Sequence, residues 1–351
     1  MAGRATGPPR LRPPPHRPGA SVNAPTTQAP TGAPVADRAP AGPPSPHDER
    51  PPRRRGHRRT PPALWVLLVP FLAMFAAFFI APIVYAIVDS LFTQRSSGLG
   101  LGAPTTEFVF LGNYARALSD PSFLASLGRL VAFSAIEVPL MVATALTLAL
   151  LLGAAAARAP RLFRVTYFMP YGVPGVIAAL LWGFLYVPAT SPVLQVLGAV
   201  GIDLQPLSSE AVLFAIANIA LWGFAGYNMF ILIAALDSIP SELYEAARID
   251  GAGEWRIVWS IKLPLIRPSI VLITLFTIIG TLQLFVEPLV LRPLTTAISS
   301  DYTPNLAAYN QAFSQGDPHL AAAMAVIVAV LAFAFSALFL RIVNRKGNRA
   351  W

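Results

Sequence analysis

EAARIDGAGEWRIVWSIKLP, residues 245–264, carries three acidic and three basic side chains in twenty positions between two apolar stretches, 211–235 and 268–291. A transmembrane helix needs about 20 mostly apolar residues, so both flanks can cross a bilayer and the quoted segment connects them. Four further stretches have the same character, at 63–88, 128–153, 165–188 and 319–343. With 55% hydrophobic and 12% charged residues and a mean hydropathy of +0.58, the chain is too apolar for a soluble domain, whose charged share is about 25%. None of the apolar runs alternates as a lipid-facing strand does. The sequence therefore predicts an all-α polytopic membrane protein with six transmembrane helices.

Cysteine is absent, which excludes disulfides, thiolate nucleophiles and cysteine-ligated clusters. Histidines 16, 47, 57 and 319 have no metal-ligand spacing, and no cofactor is expected. Cytoplasmic loops of membrane proteins retain Lys and Arg. With six spans, one side of the membrane holds 22 of the 26 basic residues, and the other holds only Arg95, Arg116, Arg129 and Arg292. Both termini are accordingly expected in the cytoplasm. The net charge of +9 is explained by this asymmetry, and no nucleic-acid partner is implied.

Residues 1–62 contain 17 prolines and eleven arginines. Such a segment cannot bury enough apolar surface to offset its chain entropy, so a disordered cytoplasmic tail is expected ahead of a transmembrane domain over 63–351. The cluster Arg53–Arg59 abuts the first span, where it can meet anionic lipid headgroups. Span three, with Gly172, Gly175, Pro170 and Pro174, frees backbone groups that lipid cannot satisfy, and must pack on helices or a cavity. SPVLQVLGAVGI, after it, reads as an interfacial helix on the outer side.

The loop 236–267 has its own grammar. Ser241 can cap a helix with Glu242 and Glu245 near its N-terminus, and Gly251 can stop it in a left-handed conformation. Leu243, Ala246, Ala247 and Asp250 share one face, nearly bare at the alanines. A second helix from Glu254 sets Trp255, Val258 and Trp259 along one stripe, with Pro264 ending it and the fifth span starting near Pro268. Pattern alone leaves two readings open, an amphipathic hairpin resting on the membrane and a docking element.

The spacing Glu245-Ala246-Ala247, three residues, Gly251, nine residues, Ile261, one residue, Leu263-Pro264 resembles the EAA loop of binding-protein-dependent ABC importer permeases. SIPSELYEAARIDGAGEW is similar to the carbohydrate-uptake branch, which includes permeases for maltose and glycerol-3-phosphate. The resemblance extends over the spans from about residue 63 and leaves out the tail. It implies a type I importer permease in the bacterial plasma membrane. It also implies that the loop is a coupling helix docking on a cytoplasmic ATPase, with Glu245 making polar contacts, Ala246 and Ala247 permitting close approach and Gly251 making the turn. The chain has no G-x4-GK-[ST] loop and so is not itself expected to bind ATP. Implied partners are a second permease, two ATPase subunits, an extracytoplasmic solute-binding protein and membrane lipid.

Polar side chains within spans mark an aqueous path or a partner helix. Candidates are Glu137, Asn218, Trp222, Tyr227, Asn228, Thr277, Thr281, Gln283 and Glu287. The resemblance to maltose-type permeases implies a substrate-lining role for Trp222, Tyr227, Thr277, Thr281 and Gln283; each could equally be interhelical glue. No extra cations lie within the spans, which favours a neutral sugar over glycerol-3-phosphate or another small solute. A secondary transporter would need ion-coupling carboxylates and leaves the EAA spacing unexplained. A membrane scaffold would use the loop without transport.

Overall fold

The computed structural model describes residues 62–95, 105–154 and 159–347. The Pro/Arg tail through residue 61 lies outside the described residues, as does Arg158. Among the described residues five helices are long and apolar enough to cross a membrane: Leu68–Asp89, Pro121–Leu152, Val212–Asp237, Arg267–Leu294 and Pro318–Arg345. The sixth expected span is a pair of helices, Pro160–Gly172 and Gly175–Tyr186, bent by 100° at the Pro/Gly step. The count is thus five spans, or six if the bent pair is one. Pro174, extended at ψ 135°, sets the bend. Hydropathy could not see it, because composition does not change across the corner.

The all-α expectation also needs correcting. A short antiparallel ribbon, Phe92–Arg95 with Thr105–Phe108, follows the first span. Its Phe92 and Phe108 rings meet edge to face at 5.4 Å, and Arg95 pairs with Glu107 at 2.8 Å. Strands of four residues are too short for a span-length hydropathy window to register.

Spans two, four and five form the core. Ala145 and Ala149 of span two let Met229, Leu232 and Ile233 of span four pack closely, with Ile266 and Ile273 completing the cluster. A second cluster joins span four to the arm Gly175–Tyr186 and the end of span five through Ile216, Ile219, Tyr186, Leu282 and Leu291. The connection Pro192–Ala199 is a helix capped by Ser191, whose hydroxyl accepts from the Leu194 amide at 3.2 Å. His319, opening the last span, meets the Asp89 carboxylate at 3.0 Å and so ties that span to the end of the first.

Among the described residues two π-helical turns occur, Ala76–Ile80 and Val258–Lys262, and each ends two residues before a proline, Pro82 and Pro264. The amides of Ala81 and Leu263 bond five residues back, to Ala76 and Val258. A proline ring in a helix clashes with the carbonyl four residues back and offers no amide. The wider turn moves that carbonyl aside. Pro264 therefore does not end the second loop helix, which runs from Glu254 to Leu265 and breaks at Ile266.

Candidate functional site

Two places on this scaffold gather the residues singled out by sequence. The first is a cavity of about 540 Å³ among spans two, three, four and five. Tyr227, Thr277, Thr281 and Gln283 line it, together with Glu137, Asn228 and Glu287. Tyr227 stacks on Tyr171, whose ring lies 4.5 Å away at 15°. Tyr171 lies in the short Met169–Gly172 turn just ahead of the bend of the third span. Sequence reasoning did not single out Tyr171, Phe133 or Phe224; aromatic residues in an apolar run carry no mark of which face meets a cavity.

Trp222 and Asn218 lie elsewhere. Trp222 packs edge to face on Trp182 at 5.9 Å, and the Asn218 amide donates to the Tyr186 hydroxyl at 2.9 Å, which donates to the Ala215 carbonyl. Both belong to the contact between spans three and four and do not line the cavity. The Thr277 hydroxyl donates to the Ile273 carbonyl of its own helix at 2.8 Å.

The cavity exists because span five is interrupted beside it. Regular helix ends at Leu282 and resumes at Val286, with Phe285 at φ −147°, ψ −49°. Pro288 is the chemical cause: it has no amide for the Leu284 carbonyl, four residues back, and its ring crowds that oxygen. In a membrane interior such carbonyls need an internal partner. Asn305, from the helix Pro304–Phe313, supplies it, donating its amide to Leu282 O at 3.2 Å and Leu284 O at 3.4 Å. Pro288 was a legible signal of this break; Asn305, more than twenty residues away in sequence, was not.

The second place is the loop after span four. Its first helix, Ser241–Ile249, starts behind Pro240, and no side chain caps it, so Ser241 is the first helical residue and not its cap. At the other end Gly251 takes φ +77°. The Ala252 amide bonds Ala247 O at 2.9 Å and the Gly251 amide bonds Arg248 O at 3.0 Å, a Schellman stop that satisfies two terminal carbonyls. Arg248 and Glu254 pair across the turn at 2.9 Å, an exposed contact worth about 0–1 kcal/mol.

The expected bare face is split. Ala247 and Tyr244 turn toward the body, while Leu243, Glu245, Ala246 and Asp250 are exposed. Tyr244 receives Lys262 over its ring at 5.5 Å; burial, with Asp237 adding to it, pushes its phenol above the usual range. Ile257 is the buried anchor of the second helix, and the Trp255 and Trp259 stripe faces outward, 76% and 65% exposed. Ile261 and Leu263 are half-buried and Pro264 is exposed. Among the described residues no three His, Cys, Asp or Glu side chains are grouped to hold a metal ion.

Residues 145–348, from near the end of span two through span six, match the family described as binding-protein-dependent transport system inner membrane component. The diacetylchitobiose uptake system permease protein NgcF of Streptomyces coelicolor is 32% identical over 293 residues, 78% of this chain and 80% of that protein. The sn-glycerol-3-phosphate transport system permease protein UgpA of Agrobacterium fabrum is 33% identical over 80% of this chain and 94% of its own length. The lactose transport system permease protein LacF of Rhizobium radiobacter is 34% identical over 64% of this chain and 74% of its own length. In fold, a chain from a bacterial ABC transporter involved in the import of the acidic polysaccharide alginate superposes with a TM-score of 0.69 at 20% identity, over 81% of this chain and 95% of that one. The chain is thus a member of the inner-membrane permease components of binding-protein-dependent transport systems.

Proposed function

We propose that this permease forms half of the translocation pathway of an ATP-driven sugar importer. The observation that carries the reading is the exposed Glu245-Ala246 helix, stopped by Gly251 in the left-handed region, at the end of the same span four that lines the cavity. Span four thereby leads, through the short turn Ser238–Pro240, from a compartment for cargo to a surface for an ATPase. Relatives named for diacetylchitobiose and lactose uptake support sugar as the cargo class.

In this reading Glu245, Ala246, Ala247, Gly251, Ile261, Leu263 and Pro264 build the coupling element within the loop 236–267. Tyr227, Thr277, Thr281 and Gln283 touch the passing sugar, and Trp222 supports them from the wall between spans three and four. The stacked pair Tyr171 and Tyr227 offers an aromatic face, which suits a sugar ring. The chain sits in the bacterial inner membrane with both termini in the cytoplasm, beside a second permease. Two ATPase subunits hydrolyse ATP, and an extracytoplasmic binding protein delivers the sugar. A crystal structure of the bacterial alginate transporter in complex with a pentasaccharide-bound periplasmic protein is the supporting precedent for that last partner. Residues 1–50 are dispensable for transport, provided that Arg53–Arg59 are kept beside the first span.

The test is reconstitution of this chain with its neighbouring permease, ATPase and binding protein in proteoliposomes. Uptake of the sugar held by the binding protein should require ATP in the ATPase compartment and both permeases. Uptake driven equally by an ion gradient without ATP would defeat the assignment.

A further inference from the structure

Two carboxylates, Glu137 from span two and Glu287 from span five, line one cavity, and no Lys or Arg lines it. Glu137 is 1% exposed, and neither carboxylate oxygen has a hydrogen-bond partner among the described residues. An ionised carboxylate only accepts hydrogen bonds, and a protonated one donates a single bond. In neither state does it give an anion what binding an anion requires, a cation or several converging N–H groups.

Arg129 and Arg292, candidates for a compensating cation, are occupied or placed elsewhere. Arg129 donates to the Tyr302 carbonyl at 2.6 Å and lies over that residue's ring at 4.5 Å. Arg292 lines a separate cavity with Asp203 and Gln205. What remains at the cavity wall are the hydroxyls of Tyr171, Tyr227, Thr277 and Thr281 and the amides of Asn228 and Gln283, neutral groups suited to hydroxyl-bearing ligands.

We propose that Glu137 and Glu287 are specificity-determining residues that keep negatively charged cargo out of the pathway. The permease then accepts glycosides that are neutral or bear an amino group, and rejects uronates and phosphate esters. Charge is costliest on the fully buried, unpartnered Glu137, so the half-buried Glu287 is the group whose field the low-dielectric walls focus on the space between them. The proposal rests on the reading of this cavity as the sugar pathway.

The chain has no cysteine, so a cysteine placed at Thr281, or in a second variant at Gln283, is its sole thiol. The purified full chain in lipid nanodiscs would be reacted with two methanethiosulfonates of similar size, one ending in trimethylammonium and one in sulfonate. Each rate is normalised to a small thiol in solution. The ratio of the two is insensitive to the cysteine's own ionisation, which slows both reagents alike. The cation should react about tenfold faster or more, within the range that charged clefts give. Glu137→Gln with Glu287→Gln should bring the ratio close to unity. Glu287→Gln alone, at the half-buried position, should remove most of the preference for the cation, and serves if the double variant does not fold. Equal rates in the parent, or a ratio indifferent to both substitutions, would overturn the charge filter and leave the cavity reading standing. If neither reagent reached either position, the cavity would have no aqueous access, and the pathway reading would fall with the filter.

Discussion

Gly226 of span four lies directly under the carbonyl of Tyr167, so close that a Cβ there would overlap the Tyr167 oxygen. The arm Pro160–Gly172 of the broken third span is thereby laid against span four backbone to backbone, and the next residue, Tyr227, reaches Tyr171 around the corner. Small residues that let helix backbones approach are the usual means of packing within a membrane.

Gly226→Ala should therefore force the two helices apart, at a cost of about 1–3 kcal/mol from overpacking, and should separate the Tyr171 and Tyr227 rings. Gly223→Ala, one turn earlier, meets nothing within 4 Å, and should be neutral or stabilising by about 0.5–1 kcal/mol because alanine is the better helix former. Thermal melts of both variants in detergent check the contrast. Equal destabilisation would contradict the close crossing.

Asn305→Ala would leave the Leu282 and Leu284 carbonyls without their partner. Loss of a buried partner costs about 1–3 kcal/mol, and the expected result is a lower melting temperature together with reduced ATP-driven uptake. Pro288→Ala restores the amide that Leu284 O lacks, so the double variant should recover part of the lost stability. It should not recover uptake, because a continuous helix would alter the wall at Gln283. Melting and uptake measured on the single and double variants separate these two effects.

Gly251→Val places a β-branched residue at φ +77°, where a side chain is strained by about 1–2 kcal/mol. Relief requires the Schellman stop to open, which mis-aims the Glu245 helix. Glu245→Lys leaves the backbone alone and reverses one exposed charge. Both variants should reach the membrane in normal amounts and lose co-purification with the ATPase. Normal association in both would reduce the loop to a surface hairpin.

The charge split of 22 to 4 fixes the expected topology. Reporter fusions after residues 60, 159, 252 and 346 should signal cytoplasm, and fusions near 104, 197 and 304 the outer side. An outer-side signal at 252 would remove the loop from reach of any ATPase.

Length and composition alone determined that this is a helical membrane chain, because only runs of about 20 apolar residues can cross a bilayer with their backbone groups internally paired. The spacing from Glu245 to Pro264 determined where a turn had to fall, since φ +77° at residue 251 is open to glycine at little cost. Tertiary structure decided the rest. Trp222 and Tyr227 sit five residues apart on one helix, yet one packs on Trp182 and the other opens onto the cavity, because which face of a span meets lipid, helix or space depends on its neighbours. Pro264 failed to end its helix because a π turn absorbed the ring. Glu137 and Glu287, 150 positions apart in the chain, share one compartment only because span five breaks beside span two, and a pattern read along one helix at a time holds no record of that meeting.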